Sequence, residues 1–328
     1  MQNPDSPTLP MLRQDRLIAL VLIVICLVAA LGNWLGGVPM QRPSLTTPST
    51  GRTADVALIP ITGIITFTGE SSPLGGGTTA GAQAIMRAVR RAEKDRVKAI
   101  LLNINSPGGS AAASQAIYTE LMRVRDQGQV KIVATMADVA ASGGYYIAAA
   151  ADHIVANPAT ITGSIGVIVQ IQNLTDLLKK VGVQTITIKS GSFKDMASVY
   201  RPITPGETDL LKTFVNQSYQ QFFEAILRGR RDKMTRAELA QVADGRILIG
   251  AAALEAKLVD SLGNYYDAVA KVKELVKLQT EPVIRNYLTP DWRQSLQQLL
   301  SSGLEQWFPE QRLARLTAWN KIPLALME

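Results

Sequence analysis

Ser142 and Lys194 are the side chains in this sequence whose types and settings could support covalent chemistry. Ser142 lies in Ala137-Asp-Val-Ala-Ala-Ser-Gly-Gly-Tyr-Tyr-Ile-Ala-Ala-Ala150. The apolar run before it, Lys131 to Met136, predicts a short buried strand by length and β-branched content. The Ala-rich segment after it has good helix propensity. The serine therefore sits where a strand turns into a helix, flanked by Ala and Gly. Such a turn exposes the hydroxyl, leaves backbone N–H groups beside it and lets a substrate backbone come close. An ordinary N-cap serine fits the same stretch, and the stretch alone does not choose between the two.

A nucleophilic serine needs a base and a place for the oxyanion. His153, the one histidine, opens an apolar strand beyond the helix that follows Ser142, with Asp152 beside it rather than across a site; this is the setting of a strand-end histidine. Lysine is the alternative base, as in Ser–Lys enzymes. Lys194 follows a strand pattern within Lys189-Ser-Gly-Ser-Phe-Lys-Asp-Met196, where Phe193 and Met196 could shield it from water. A lysine base must be held neutral, which from a reference value near 10.4 to ~7–8 takes roughly 3–4 kcal/mol of destabilised ammonium, attainable by burial. On sequence alone a solvated loop lysine is the simpler reading, and Lys189, which directly ends the strand, is a weaker candidate. Two backbone sites could serve an oxyanion: the Pro107-Gly108-Gly109 turn, at the carboxyl end of a buried strand, and the Gly143 N–H. Ser106 and Ser110 read as turn and cap residues. Neither glycine turn has a phosphate-cradling signature.

The elements that must position these residues alternate between strand and helix. Strands are predicted from Asp55 to Ile65, Val97 to Ile104, 131 to 136, His153 to Ala156, Ile165 to Ile171 and Thr185 to Ile188. Helices are predicted from Ala80 to Lys94, Ser110 to Asp126, Leu174 to Val181 and Glu207 to Arg231, with shorter ones near 235–243, 250–257 and 264–277. This order indicates an α/β domain with a mostly parallel sheet and flanking helices, over residues 55–280. Residues 1–16 form a short polar tail. The apolar stretch within 17–37 is long enough for a membrane anchor, since about nineteen residues at ~1.5 Å each approach a hydrocarbon core of ~30 Å. A cleaved signal peptide is its rival, because Ala30-Leu31-Gly32 offers small residues at cleavage spacing. Residues 38–54 form a linker rich in Pro, Ser, Thr and Gly. In the tail, 281–328, Trp292, Leu296, Leu299, Leu300, Leu304 and Trp307 share one helical face, which suits packing on protein or lying on a membrane.

Composition narrows the chemistry. Of the chain's 328 residues 47% are hydrophobic and 19% charged, which suffices for a packed core. The net charge of +7 suits an anionic membrane surface, and no basic run interleaved with aromatics points to nucleic acid. One cysteine, Cys26, and one histidine leave no intrachain disulfide and no Cys- or His-rich metal site, so no cofactor or metal is expected. Charge flanking the 17–37 segment barely specifies orientation.

Four stretches, Asn105-Ser-Pro-Gly-Gly109, Ala140-Ala-Ser-Gly-Gly-Tyr-Tyr146, Thr162-Gly-Ser-Ile-Gly-Val167 and Ser190-Gly-Ser-Phe-Lys-Asp195, occur in an order and spacing that resemble the signal peptide peptidase A (protease IV) family, short single-domain form. The resemblance covers about residues 55–277. It implies a Clp protease/crotonase-like fold and a membrane-anchored serine endopeptidase acting on apolar peptides such as signal peptide remnants. It also implies Ser142 as nucleophile, Lys194 as general base, the turn at Gly108 and Gly109 with the Gly143 N–H as oxyanion site, and Ser164 as a hydrogen-bonding support for the lysine. Short-form members resemble ring-shaped homo-oligomers in which the lysine reaches the serine of a neighbouring protomer. A single-pass protein with its catalytic domain outside the cytoplasm is the matching expectation. The rival readings are an acyl-CoA enzyme of the crotonase type, which would want an acidic residue where this chain has Ala and Ser, and an inactive scaffold for membrane partners.

Overall fold

The computed structural model describes residues 54–68 and 80–288. The expected membrane span, the linker up to residue 53 and the amphipathic stretch 292–307 lie outside the described residues. Among the described residues, no helix is long and apolar enough to cross a membrane.

The strands are β1 (Val56–Thr62), β2 (Ile65–Thr66), β3 (Ala80–Gly81), β4 (Ala99–Ser106), β5 (Lys131–Ala141), β6 (His153–Ala156), β7 (Ile161–Gly163), β8 (Ile247–Ile249), β9 (Ser261–Leu262) and β10 (Ile284–Asn286). The main sheet runs β10-β1-β4-β5-β6-β9 with parallel pairing throughout. A parallel sheet is buried on both faces, which is why β4 and β5 are apolar almost without interruption. Ile100, Leu102, Ile104, Ile132, Ala134 and Met136 belong to the larger core, with residues from the helices Ala82–Lys94, Ala111–Gln127 and Gly143–Ala148. The alternate residues Ala99, Leu101 and Val133 form a smaller core with Ala268 and Val272 of the helix Tyr265–Leu275.

Helix ends follow their capping residues. Ser110 accepts a hydrogen bond from the Ala113 N–H at 3.3 Å, and Gly128 closes the same helix in the left-handed conformation. Thr204 and Glu207 form a capping box at the start of the helix Pro205–Gly229, with the proline in its first turn.

Two sequence expectations fail. Residues 165–171 and 185–188 form no strand. They are apolar and β-branched, but a strand needs a neighbour's backbone as well as its own side chains. None reaches them among the described residues, and Ile186 and Ile188 are 86% and 95% exposed. Conversely, the sheet extends past residue 280, because β10 pairs with the amino end of β1. The short strands β7, β8 and β9 were also too brief to show a period.

β5 is longer than its apolar run because it serves two partners. It pairs with β4 as far as Met136, then advances four residues while β4 advances two, so that Ser106 pairs with Ala140. The Val139 N–H donates to Asn105 Oδ1 at 3.2 Å within this irregularity. The end of β5, Val139 to Ala141, then pairs with β7. Such a bulge re-aims the residues that follow it, and here the next residue is Ser142.

The helix Pro205–Gly229 is joined to the sheet by a buried ion pair. Arg230, 1% exposed, donates to both oxygens of Asp260 at 2.8 and 2.9 Å and to the Lys257 carbonyl. Lys233 Nζ lies 2.8 Å from the same carboxylate. Burial pushes the Asp260 carboxyl up, but hydrogen bonds and charge from Arg230 and Lys233 outweigh it and hold it at about 2. Its contribution to stability is therefore present above the unfolded carboxylate value near 3.9 and is lost as pH falls toward 2. Asp260→Asn is expected to lower unfolding free energy by about 3–5 kcal/mol, because Arg230 is left buried without its counter-charge. Urea denaturation at pH 7 measures this, and an unchanged midpoint would remove the pair from the fold's supports.

Candidate active site

Ser142 has φ +52° and ψ −119°, a backbone conformation that non-glycine residues rarely adopt. The surroundings enforce it. The Ser142 N–H donates to the Gly163 carbonyl at 2.9 Å, its carbonyl accepts from the Tyr146 N–H at 2.9 Å, and the helix Gly143–Ala148 begins at the next residue. No capping hydrogen bond uses the Ser142 hydroxyl, which removes the N-cap reading.

The Pro107-Gly108-Gly109 turn lies directly against this serine. Gly108 has φ +101°, and a Cβ there would sit 2.9 Å from Ser142 Cβ and 2.7 Å from the Gly143 nitrogen. Only glycine meets both demands. Gly143 is equally confined, since a Cβ on it would overlap Ser114 Oγ and lie 3.3 Å from the Gly109 nitrogen. The Gly108 N–H is engaged, donating to Ser106 Oγ at 3.1 Å, while that hydroxyl donates to the Gly63 carbonyl at 2.6 Å. Gly109 forms a parallel bridge with Ile65 through the neighbouring Gly108 carbonyl and Ser110 N–H, so its own N–H takes no part in that bridge, and its nitrogen lies close to Gly143. Two backbone donors thus lie together beside the serine.

Ser142, Gly143 and Gly109 open into a cavity of ≈ 540 Å³ with apolar walls that include Val167, Ile168, Phe214 and Phe222. Among its lining residues the single ionisable group is Tyr146. Its ring stacks on Phe222 with centroids 4.5 Å apart, and burial pushes its phenol up to about 12, so it remains a neutral hydroxyl at pH 7. The serine and the two backbone amides are together, and no base is among the described residues lining the cavity.

Lys194 sits in the loop of turns after residue 189, exposed, with no side-chain hydrogen bond or ion pair among the described residues, and does not line the Ser142 cavity. Lys189 differs, because its ammonium donates to Asp195 at 2.6 Å and to the Ser192 carbonyl at 2.9 Å. Ser164, at φ +51°, donates its N–H to the Arg246 carbonyl at 2.7 Å and follows the Gly163 that holds Ser142. His153 lies at the amino end of β6, where Nε2 is 2.9 Å from Ser261 Oγ and burial pushes its pKa down. It does not line the Ser142 cavity.

Sequence reading missed Ser114, which is fully buried and donates its hydroxyl to the Ser110 carbonyl at 3.0 Å. Its position four residues after the cap Ser110, hence on the same helix face, is the signal that could have found it.

The chain matches the family model described as peptidase family S49 over residues 125–279, and the Clp protease model over residues 77–162. It is 41% identical over 201 residues to "Putative protease slr0021" of Synechocystis sp., covering 61% of this chain and 71% of that one. It is 35% identical over 278 residues to "Protease 4" of Salmonella typhi, covering 81% of this chain but 43% of the relative. With "Putative signal peptide peptidase SppA" of Enterococcus faecium it shares 36% identity over 230 residues, 70% of this chain and 66% of that one.

If the Ser142 backbone is strained, glycine should relieve it. About 1–3 kcal/mol of strain outweighs glycine's entropic cost of about 0.5–1 kcal/mol. Ser142→Gly is therefore expected to melt a few degrees above Ser142→Ala, which keeps the strain. Calorimetry of the two variants decides it, and a glycine variant that melts lower would show the turn to be relaxed.

Proposed function

The chain belongs to peptidase family S49 and is a serine peptidase, and from that premise we propose that it is a membrane-anchored endopeptidase that degrades apolar peptides such as cleaved signal peptides. The observation that carries the reading is a cavity holding a half-buried serine and two backbone amides between apolar walls, with no base among its described lining residues. The proposed base is Lys194. Its competitor Lys189 is committed to Asp195, whereas Lys194 carries no counter-charge among the described residues. A base absent from the cavity of one chain is naturally supplied by a neighbour. The segment around Lys194 is apolar and uncovered, with Leu177, Val181, Ile186 and Ile188 exposed. Such a surface is costly for a soluble domain to leave in water and favours association. The proposed assembly is a ring-shaped homo-oligomer, in keeping with the Clp protease-like fold, in which Lys194 of one protomer serves Ser142 of the next.

In the proposed reaction, neutral Lys194 Nζ accepts the Ser142 Oγ proton as Oγ attacks the scissile carbonyl carbon. The N–H groups of Gly109 and Gly143 donate to the oxyanion that forms, while Gly108 holds the turn close. The tetrahedral intermediate collapses, the C–N bond breaks, and the leaving amine takes the proton from the lysine. A water molecule then gives its proton to Lys194 and attacks the acyl carbon, and Ser142 leaves with that proton restored. Ser164 is proposed to hydrogen-bond the lysine once it is in place. The apolar walls suit apolar side chains, and the anchor at 17–37 would keep the site near peptides released in the membrane, outside the cytoplasm.

Cleavage of an apolar signal-like peptide by the full-length protein in detergent tests the dyad. Lys194→Ala should lose about 10²–10⁴-fold in kcat, Ser142→Ala should be inactive, and activity should fall on acidification as the amine takes a proton. Mixing the two inactive variants should restore part of the activity if the dyad is shared between protomers. Wild-type cleavage by Lys194→Ala would end the proposal.

A further inference from the structure

Lys194 stands in a loop that no sheet supports. The segment's own backbone bonds are short turns, from Lys194 N–H to the Gly191 carbonyl and from Met196 N–H to the Phe193 carbonyl, and Ala197 follows at φ +66°. A base delivered to another surface must nevertheless be placed to within a fraction of an ångström.

The residues on either side of Lys194 are held unequally. The Phe193 ring, 50% exposed, lies near Gly206 at the start of the helix Pro205–Gly229. On the other side, Arg201 grips Asp195 as a fork, with Nε 2.8 Å from Oδ2 and Nη2 2.7 Å from Oδ1, and Nη2 also reaches the Asp195 carbonyl at 3.2 Å. The same guanidinium donates from Nη1 to Glu207 Oε2 at 2.9 Å, and its Nη2 contacts Oε1. Glu207, 1% exposed, is locked in turn by the Thr204 N–H at 2.9 Å. Further along, Phe214, Ser218, Gln221 and Phe222 of this helix line the Ser142 cavity. Hydrogen bonds from Arg201 hold the Asp195 carboxyl well below the usual carboxylate range, so the fork stays charged across neutral pH.

We propose that Arg201 is a positioning residue: it fixes the backbone of the Lys194 loop to the amino end of the helix that walls the Ser142 cavity, so that helix and lysine are presented as one rigid unit. The inference rests on the reading of Lys194 as base. Two cations, Lys189 and Arg201, and two carboxylates, Asp195 and Glu207, neutralise one another in this cluster, which leaves Lys194 as the basic side chain of the loop without an ion pair among the described residues. Lysine at position 201 would keep the charge but lose the planar fork that holds Asp195 and Glu207 together.

The test compares Arg201→Ala, Arg201→Lys and Lys194→Ala in the full-length protein, following apolar-peptide cleavage across pH with melting midpoint and assembly size in parallel. Arg201→Ala is expected to lower kcat on the order of 10²-fold with KM little changed. The acidic limb of its profile should move to higher pH, because a displaced, better hydrated amine holds its proton more tightly. Arg201→Lys should recover only part of the rate. If Lys194→Ala is inactive while Arg201→Ala keeps wild-type kcat, or loses activity equally at every pH, the positioning role falls and the base stands. If Lys194→Ala retains activity, the base reading itself falls. Should Arg201→Ala fail to fold, Glu207→Gln carries the test: a smaller drop in kcat with the same shift of the limb is expected, and an unmoved limb overturns the proposal.

Discussion

The fold around the candidate site depends on a close approach between two backbone turns. The Pro107-Gly108-Gly109 turn ends β4, the Ser142-Gly143 turn ends β5, and the space between them admits no side chain on Gly108 or Gly143. The β5 bulge makes the approach possible by carrying Ala140 level with Ser106. Gly163 at the end of β7 then holds the Ser142 N–H, so three neighbouring strand ends determine where one hydroxyl points. Ser106 and Ser114 act from beneath, the first binding the Gly63 carbonyl and the Gly108 N–H, the second filling the space under Gly143. A serine in such a conformation persists because its surroundings over-determine it.

That constraint also accounts for what the cavity lacks. A site walled by two glycine turns, a short buried helix and the apolar side of a long helix has little room for a charged side chain from the same core, where an unpaired ammonium would be costly. The chain instead carries its candidate base on an arm outside the core, fastened by ion pairs rather than by packing. The same division appears in the hydrophobic residues. Those of β4 and β5 are almost wholly buried, whereas Ile168, Ile186 and Ile188 face water. A subunit interface would give these residues the burial that their composition demands.

Much of the architecture was legible because it rests on local rules. The strand at His153 and the helices after Ser110, Thr204 and Asn264 follow from apolar period and capping residues that act within a few positions. The extended segments at 165–171 and 185–188 misled, because β-branched pattern reports what a segment can do when paired and not whether a partner is present. β7 to β10 were missed for the opposite reason: two or three residues carry no period, and the sheet that recruits them is assembled from distant parts of the chain. Arg201 was invisible as a partner of Asp195 and Glu207, since a six-residue spacing inside an irregular loop has no fixed geometry.

By itself, the sequence determined the chemistry available: one cysteine and one histidine in unsuitable places, a serine at a strand-to-helix turn, a lysine in a glycine and serine loop, and glycines where two backbones could meet. These are properties of residue type and near neighbours. Only the tertiary structure decided that Gly108 abuts Ser142, that the Gly108 N–H is taken by Ser106, that Lys189 is committed to Asp195, and that no base is among the described residues lining the serine's cavity. Each of these depends on which strand ends lie side by side and on the angle at which they arrive, quantities set by the packing of the whole sheet rather than by any stretch of it.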